Sequence, residues 1–213
     1  MDNTFNLDNI FTTDIYPYDP TRLDRNLEIC DMVSKSLKSK FNFRNDFTHS
    51  IQGLDMCCGW GVLGAGLLLK NVISTCHFTD IIPEQIENCK NNLESCGLEN
   101  KTKVFESDVW DNIDESYDFI IANPPWFPHR VEWFEELELR EEAWLDPDWQ
   151  WHKKFFKGIK EHLNHNGICF LIESSLGSHE SIFGPMVEGL EYETHRFPQQ
   201  HLKSSWIMEI RNV

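Results

Sequence analysis

The chain has 213 residues, of which 40% are hydrophobic and 25% are charged, and this length suits one compact domain rather than two. Its 35 acidic and 19 basic residues give a formal net charge of −16. A negative field repels phosphate backbones, which argues against unaided nucleic-acid binding. No apolar run approaches the ~20 residues of a membrane span and no basic-then-apolar leader opens the sequence, so we expect a cytoplasmic protein without a membrane partner.

Seven cysteines are scattered along the chain, and their number is odd. They form neither a C-x-x-C pair nor a Cys/His cluster at the spacing of zinc ligands. We therefore expect reduced, mostly buried thiols and no metal site.

The residues from 1 to about 16 are polar and predict an irregular lead-in. Pro17 and Pro20 precede an apolar series at helical spacing, which predicts a helix from about Thr21 through Leu37. From residue 51, short apolar segments alternate with helical ones. The predicted strands are 51–56, 77–80, 103–106, 117–122 and 168–173, the predicted helices are 62–69, 83–96 and 151–163, and two late strands, 192–197 and 206–210, are expected to pair.

This alternation predicts an α/β fold: a Rossmann-like, doubly wound sheet of seven strands, mostly parallel with a late antiparallel strand. The strongly apolar strands fit a sheet that is buried on both faces. Ligands of such sheets bind beyond the carboxyl ends of the strands. Four polar residues lie at the ends of predicted strands, namely Asp55, Asp80, Asp108 and Asn123. Any chemistry is therefore expected at that edge.

The stretch DMCCGWGVLG, residues 55–64, carries G-x-G-x-x-G between a strand and a helix. This motif alone is weak, because dinucleotide-binding dehydrogenases share it. Two nearby carboxylates indicate a ligand other than a dinucleotide. Asp55 would repel a pyrophosphate but attract a cationic amino group. Asp80 follows Gly61 by 19 residues (80 − 61) and can accept hydrogen bonds from both ribose hydroxyls.

A third carboxylate, Asp108, can accept from the exocyclic amine of an adenine, while the backbone around Val109 contacts the ring edge. Such an acid-rich pocket suits S-adenosylmethionine, a cationic sulfonium nucleoside, better than a diphosphate. The predicted cofactor-binding residues are Asp55, Cys57, Gly59, Gly61, Asp80, Ile81, Asp108, Val109 and Asn123.

The tetrapeptide Asn123-Pro124-Pro125-Trp126 follows the fourth predicted strand, and all four residues are predicted to be catalytic. Two prolines stiffen the backbone and hold Asn123 extended. The Asn123 side-chain oxygen and the Pro124 carbonyl can then accept both hydrogens of a planar NH2 group, and Trp126 offers a face for stacking. The motif predicts in-line methyl transfer to nitrogen through orientation and fixed dipoles, with no metal and no covalent intermediate.

With these motifs the sequence resembles the class I S-adenosylmethionine-dependent methyltransferases. Within this class it is similar to the branch of enzymes that carry an Asn-Pro-Pro-aromatic motif and methylate amino groups. Within it, the HemK-like protein-glutamine methyltransferases are most similar, since residues 16–21 and Glu142-Ala143-Trp144 also match their pattern. The resemblance implies a protein glutamine amide as acceptor. Trp126 stands where the family generally has Tyr, and residues 145–149 replace its Gly-rich stretch; both departures lie on the substrate side.

The expected organisation is a lead-in and helix over residues 1–50, packing on the core and the acceptor pocket, and a methyltransferase domain over residues 51–213. A lid rich in Trp and Glu is predicted at 127–151 within that domain. Residues 126–151 hold five of the eight tryptophans: Trp126, Trp133, Trp144, Trp149 and Trp151. Whether Trp126 stacks on the substrate or packs into the core is left open.

Other readings of the motifs remain open. The acceptor could be a small metabolite with an amide, amine or guanidine group, or a base amine in RNA if a partner supplies a basic surface. A non-enzymatic alternative is an inactive scaffold that binds S-adenosylmethionine, against which the intact motif set argues. Some members of the resembled family use a small activator subunit, and neither that partner nor the oligomeric state follows from the sequence.

Overall fold

The computed structural model describes residues 20–40, 50–130, 141–197 and 204–213, with side chains from residue 25 onward. In chain order the elements are α1 (Pro20–Lys40), β1 (Gln52–Met56), α2 (Val62–Leu69), β2 (Thr75–Asp80), α3 (Pro83–Ser95), β3 (Thr102–Glu106), β4 (Tyr117–Ala122), α4 (Gln150–His162), β5 (Leu163–Ser174), α5 (Glu180–Phe183), β6 (Glu191–Arg196) and β7 (Ser205–Arg211). Most predicted elements are confirmed to within one or two residues. The lead-in, residues 16–19 of the segment that matches the family pattern, and residues 131–140 of the predicted lid lie outside the described residues.

Seven strands form one sheet in the order β3-β2-β1-β4-β5-β7-β6. The first five strands in this order are parallel to one another, and β7 runs antiparallel to both β5 and β6. This confirms the predicted doubly wound sheet with a late antiparallel strand. The strand order reverses between β1 and β4, and that switch point is where ligands of such sheets bind.

The two faces of the sheet carry separate apolar clusters. On one face α1, α2 and α3 pack on the sheet, and α1 contributes Ile29, Cys30, Val33 and Leu37 to that cluster. On the other face α4 and α5 pack through buried phenylalanines, Phe155, Phe156 and Phe183. No helix within the described residues is long and apolar enough to cross a membrane. The division at residue 50 stays a prediction, although α1 shares its core with α2.

The boundary between α4 and β5 differs from the prediction. The sequence pattern places a turn at residues 165–167 and starts the strand at Ile168, whereas β5 begins at Leu163, directly after α4. Leu163 pairs with Tyr117, and the register then shifts before Ile168 pairs with Phe119. The polar residues between them form an irregularity inside the strand, because the backbone of Asn212 binds both Asn166 and Gly167.

Candidate active site

A cavity lies at the carboxyl edge of the sheet, beside the loops that follow β1 and β4. Most predicted site residues line it: Cys57, Gly59, Asp80, Ile81, Asp108, Val109, Asn123, Pro124, Pro125 and Trp126. Asp55 and Gly61 are not among the residues that line it.

The loop after β1 turns tightly through residues with positive φ, namely Cys57 at 55°, Gly59 at 52° and Gly61 at 81°. The Gly61 N–H donates to the Cys58 carbonyl at 2.8 Å, and the Cys58 N–H donates to the Thr79 carbonyl at 3.0 Å. A Cβ atom on Gly61 would lie 2.7 Å from the Sγ atom of Cys89. Glycine at 61 therefore allows both the turn and the close approach to α3.

We expect Gly61→Ala to lower the free energy of unfolding by about 2–4 kcal/mol, because it adds left-handed strain to overpacking against Cys89. Gly97→Ala is the matched control: its φ is +65°, but no atom lies within 4 Å of the added Cβ. The control is expected to lose only about 1–2 kcal/mol. Urea unfolding of both variants measures the difference, and equal losses would contradict the packing argument.

Asp80 is held in place by the backbone at the end of β2. Its Oδ2 atom accepts from the Gly59 N–H and its Oδ1 atom from the Ile82 N–H, both at 3.0 Å. Burial raises the pKa of this carboxyl, and the amide hydrogen bonds act against that rise. Each carboxylate oxygen keeps acceptor capacity, so the side chain can accept from neighbouring hydroxyls at the cavity wall.

Asp55 is buried and is not among the residues that line the cavity. Its Oδ2 atom accepts from the Gly64 N–H at 2.8 Å, which fixes the first turn of α2, and only 1% of the residue is exposed. The Oδ1 atom is buried without a hydrogen-bond partner among the described residues. Burial raises the pKa of Asp55 to about 8. Its predicted contact with a cationic amino group stays a prediction, and the structure adds a role in anchoring the helix.

Asp108 lies at the mouth of the cavity and is paired with a lysine from α4. The Nζ atom of Lys154 is 2.8 Å from an Asp108 oxygen and 2.7 Å from an oxygen of Asp111. Val109 is buried with φ at 52°, and its carbonyl accepts from the Ser107 hydroxyl at 2.9 Å. The Lys154 contact was not predicted, because 46 residues separate the two partners.

The acceptor lip, residues 123–126, forms one wall of the cavity. The Oδ1 atom of Asn123 is buried and has no hydrogen-bond partner among the described residues. Trp126 is 6% exposed, and its Nε1 atom donates to the Ile172 carbonyl at 3.2 Å. The Trp144 ring meets it edge-on at 5.5 Å, and the Arg25 guanidinium lies 5.2 Å from its ring centre. Trp126 therefore packs into the protein and lines the cavity as well.

Several lining residues were not identified from sequence patterns, namely Arg25, Asn26, Trp60, Gln85, Ser107 and Glu142. Gln85 is 3% exposed, and its Oε1 atom has no hydrogen-bond partner within the described part of the chain. A glutamine on the buried face of α3, beside Ile86 and Cys89, is the one signal that could have identified it. Arg25 and Asn26 carry no such signal, since α1 reaches the cavity only through tertiary packing.

Of the predicted lid tryptophans, Trp144 and Trp151 line the cavity, whereas Trp149 packs edge-on against His152 and Phe183. Trp133 lies outside the described residues.

Comparisons with known proteins place this site in a family context. The model of the methyltransferase small domain family matches residues 28–138, just over half of the chain. Ribosomal RNA small subunit methyltransferase C of Buchnera aphidicola subsp. Cinara cedri is 39% identical over 97 residues, which are 45% of this chain and 26% of that protein. Release factor glutamine methyltransferase of Aquifex aeolicus is 22% identical over 125 residues, 56% of this chain and 44% of that protein.

A solved structure, SMU.776 complexed with SAH, has the same fold, with a TM-score of 0.59 at 14% identity, covering 84% of this chain and 48% of that one. The chain spans less than half the length of both curated relatives.

Proposed function

The chain belongs to the methyltransferase small domain family, and we propose that it is an N-methyltransferase that acts on a planar nitrogen, in the first place a protein glutamine amide. S-adenosylmethionine is the cofactor, and when bound it supplies an electrophilic methyl group. The observation that carries the proposal is the buried Asn123 oxygen, which has no hydrogen-bond partner among the described residues and lies on a wall stiffened by two prolines.

The cavity residues fit this cofactor. Asp80, oriented by the Gly59 and Ile82 amides, can accept from ribose hydroxyls. We infer that Asp108 and the backbone at Val109, which line the same cavity, hold the adenine amine and ring edge. Gln85 adds a buried oxygen without a described partner on the same cavity. Buried acceptors of this kind are costly unless a ligand or water satisfies them, so a ligand rich in donors is favoured.

The acceptor lip accounts for the proposed preference for nitrogen. The Asn123 oxygen and the Pro124 carbonyl can each accept one hydrogen of an NH2 group. Holding both hydrogens directs the nitrogen lone pair toward the cofactor as the nitrogen becomes pyramidal. Because these acceptors are fixed before the reaction, they need little reorganisation in the transition state.

Two acceptor classes have specific support. The resemblance of the lip to glutamine methyltransferases and the net charge of −16 favour a protein amide. The second candidate is a base amine in RNA, and the names of the curated relatives favour it, since Ribosomal RNA small subunit methyltransferase C is prominent among them. An RNA acceptor would need a basic surface from a partner such as an activator subunit, because this chain's own field repels phosphate.

Transfer of a labelled methyl group tests the proposal. The purified chain and methyl-labelled S-adenosylmethionine are added to an extract of cells that lack the gene, and protein, RNA and small molecules are then separated. We expect label in protein, released as methylamine by acid hydrolysis, which identifies an amide nitrogen. Label in RNA would select the second candidate. Label released from protein as methanol by mild base would contradict nitrogen as the acceptor atom, and no transfer in any fraction would favour the inactive scaffold.

A further inference from the structure

Three ionisable side chains are fully buried beneath the acceptor side of the cavity without lining it. Asp146 precedes α4, His152 lies in the first turns of α4 and Glu173 lies at the carboxyl end of β5; each is at most 2% exposed. The cofactor site and the proposed methyl transfer make no use of them. Because burying three such groups is costly, their arrangement requires an explanation.

The imidazole of His152 bridges the two carboxylates. Its Nδ1 atom is hydrogen-bonded to Asp146 Oδ2, and its Nε2 atom lies 2.8 Å from Glu173 Oε1. When both carboxyl groups are ionised they can only accept, so both ring nitrogens donate and the ring carries a positive charge. The backbone N–H of Trp151 donates to Asp146 Oδ1 at 2.7 Å, and the Ser178 hydroxyl donates to Glu173 Oε2 at 2.6 Å.

The charges that act on the His152 ring are those of these two carboxylates. Burial alone would lower the pKa of His152, but the charges and hydrogen bonds of Glu173 and Asp146 raise it to about 9. Phe183 from α5 stacks on the ring at 4.2 Å, and Trp149 and Trp151 meet it edge-on. The nearby Cys57 thiol, whose pKa is raised by burial and by carboxylates including Asp146, is neutral at physiological pH.

The two ends of this bridge contact the acceptor lip at Trp126 and the residue that follows it, Phe127. On the Asp146 side, its backbone N–H donates to the Phe127 carbonyl at 2.8 Å, and the Phe127 N–H donates to the Trp144 carbonyl at 3.0 Å. On the Glu173 side, the preceding residue Ile172 accepts the indole N–H of Trp126. Hydrogen bonds and chain connections together thus form a closed circuit from Trp126 through Phe127, Asp146, His152 and the end of β5 back to Trp126.

We propose that charged His152 is a positioning residue that fixes the acceptor lip by joining the segment before α4 to the end of β5. This inference rests on the proposed function for its catalytic consequence, but the bridge itself is a property of the folded chain. Loss of the bridge should loosen the lip and slow methyl transfer. The cofactor side, which is built on β1, β2 and α3, should be unaffected.

The test compares His152→Gln with Ile159→Ala, a control that removes buried apolar atoms from the same helix two turns after His152 and carries no group that could form the bridge. In His152→Gln we expect amide hydrogen exchange at Phe127 and Asp146 to become at least tenfold faster than in the control. Affinity for S-adenosylhomocysteine should stay within twofold, and labelling of the acceptor fraction should fall at least tenfold. Equal exchange rates at both amides in the two variants would overturn the inference.

A second measurement on the unmodified protein holds even if His152→Gln does not fold. Nitrogen-15 spectra of the His152 ring at pH 7 should show two protected N–H groups. The raised pKa means that the bridge is complete below pH 6.5 and is lost as the pH rises through about 9, so protection at Phe127 and Asp146 should fall there while Leu54 and Phe119 stay protected. A single ring N–H at pH 7 would refute the charged bridge. These readouts need no acceptor, so their failure is distinguishable from absence of methyl transfer.

Discussion

Asn123→Ala should lower the rate of methyl transfer by about 10²–10³-fold and leave the affinity for S-adenosylhomocysteine within about threefold. The Asn123 side chain ends on the lip, and its buried oxygen has no hydrogen-bond partner among the described residues. Removing that oxygen takes away an acceptor that is aligned before the reaction. The backbone of the lip keeps its shape, because Pro124 and Pro125 restrict it independently of the side chain at 123.

The measurement pairs label transfer at saturating cofactor with calorimetric titration of S-adenosylhomocysteine. Asn91→Ala, an asparagine on the exposed face of α3, is the control and should leave both values unchanged. Asn123 was also predicted to contact the cofactor. If the variant loses affinity as strongly as it loses rate, Asn123 acts mainly in cofactor binding, and the role proposed for the lip is wrong.

Asp80→Ala is expected to weaken binding of S-adenosylhomocysteine at least about a hundredfold. Two charge-assisted hydrogen bonds to ribose hydroxyls would be lost, at about 1.5–3 kcal/mol each. The amides of Gly59 and Ile82, which now donate to this carboxylate, would also lose their acceptor. The loop after β1 would therefore lose order together with the ligand contact.

Asp114→Ala controls for the change of net charge, since Asp114 is an exposed carboxylate outside the cavity. The affinity of the Asp114→Ala variant for S-adenosylhomocysteine should equal that of the unmodified chain. Asp80→Asn keeps an oxygen and the side-chain volume, so we expect an intermediate loss of about tenfold. Calorimetry gives the affinities, and circular dichroism verifies folding. Retention of full affinity in a folded Asp80→Ala variant would exclude Asp80 from the cofactor site.

The site residues that sequence could identify are those set by local pattern. Asp80 and Asn123 end or follow short apolar strands, and parallel strands bring their carboxyl ends to one edge of a sheet. The predicted contact of Asp55 with the cofactor stays a prediction, and its contact with α2 follows from local pattern as well. Leu54 and Met56 face α4, so alternation along β1 points Asp55 to the opposite face, toward α2.

Other contacts could not be read from local pattern, because they join distant parts of the chain. The guanidinium of Arg25 meets Trp126 only through the packing of α1 on α2. The bond between His152 and Glu173 depends on where β5 ends relative to α4. Residues 165–167 resembled a turn because two polar side chains precede a glycine there, although the strand pairing that includes Leu163 had already begun.

The place of β7 in the sheet has a consequence for synthesis of the protein. Since β7 lies between β5 and β6, β6 has no neighbour in the sheet until β7 has been translated. A nascent chain on the ribosome therefore exposes the unpaired backbone edge of β5, an apolar strand, after every earlier strand of the sheet has been made. Unpaired edges of this kind favour aggregation, so chaperones that bind emerging chains should have most effect on yield during that interval.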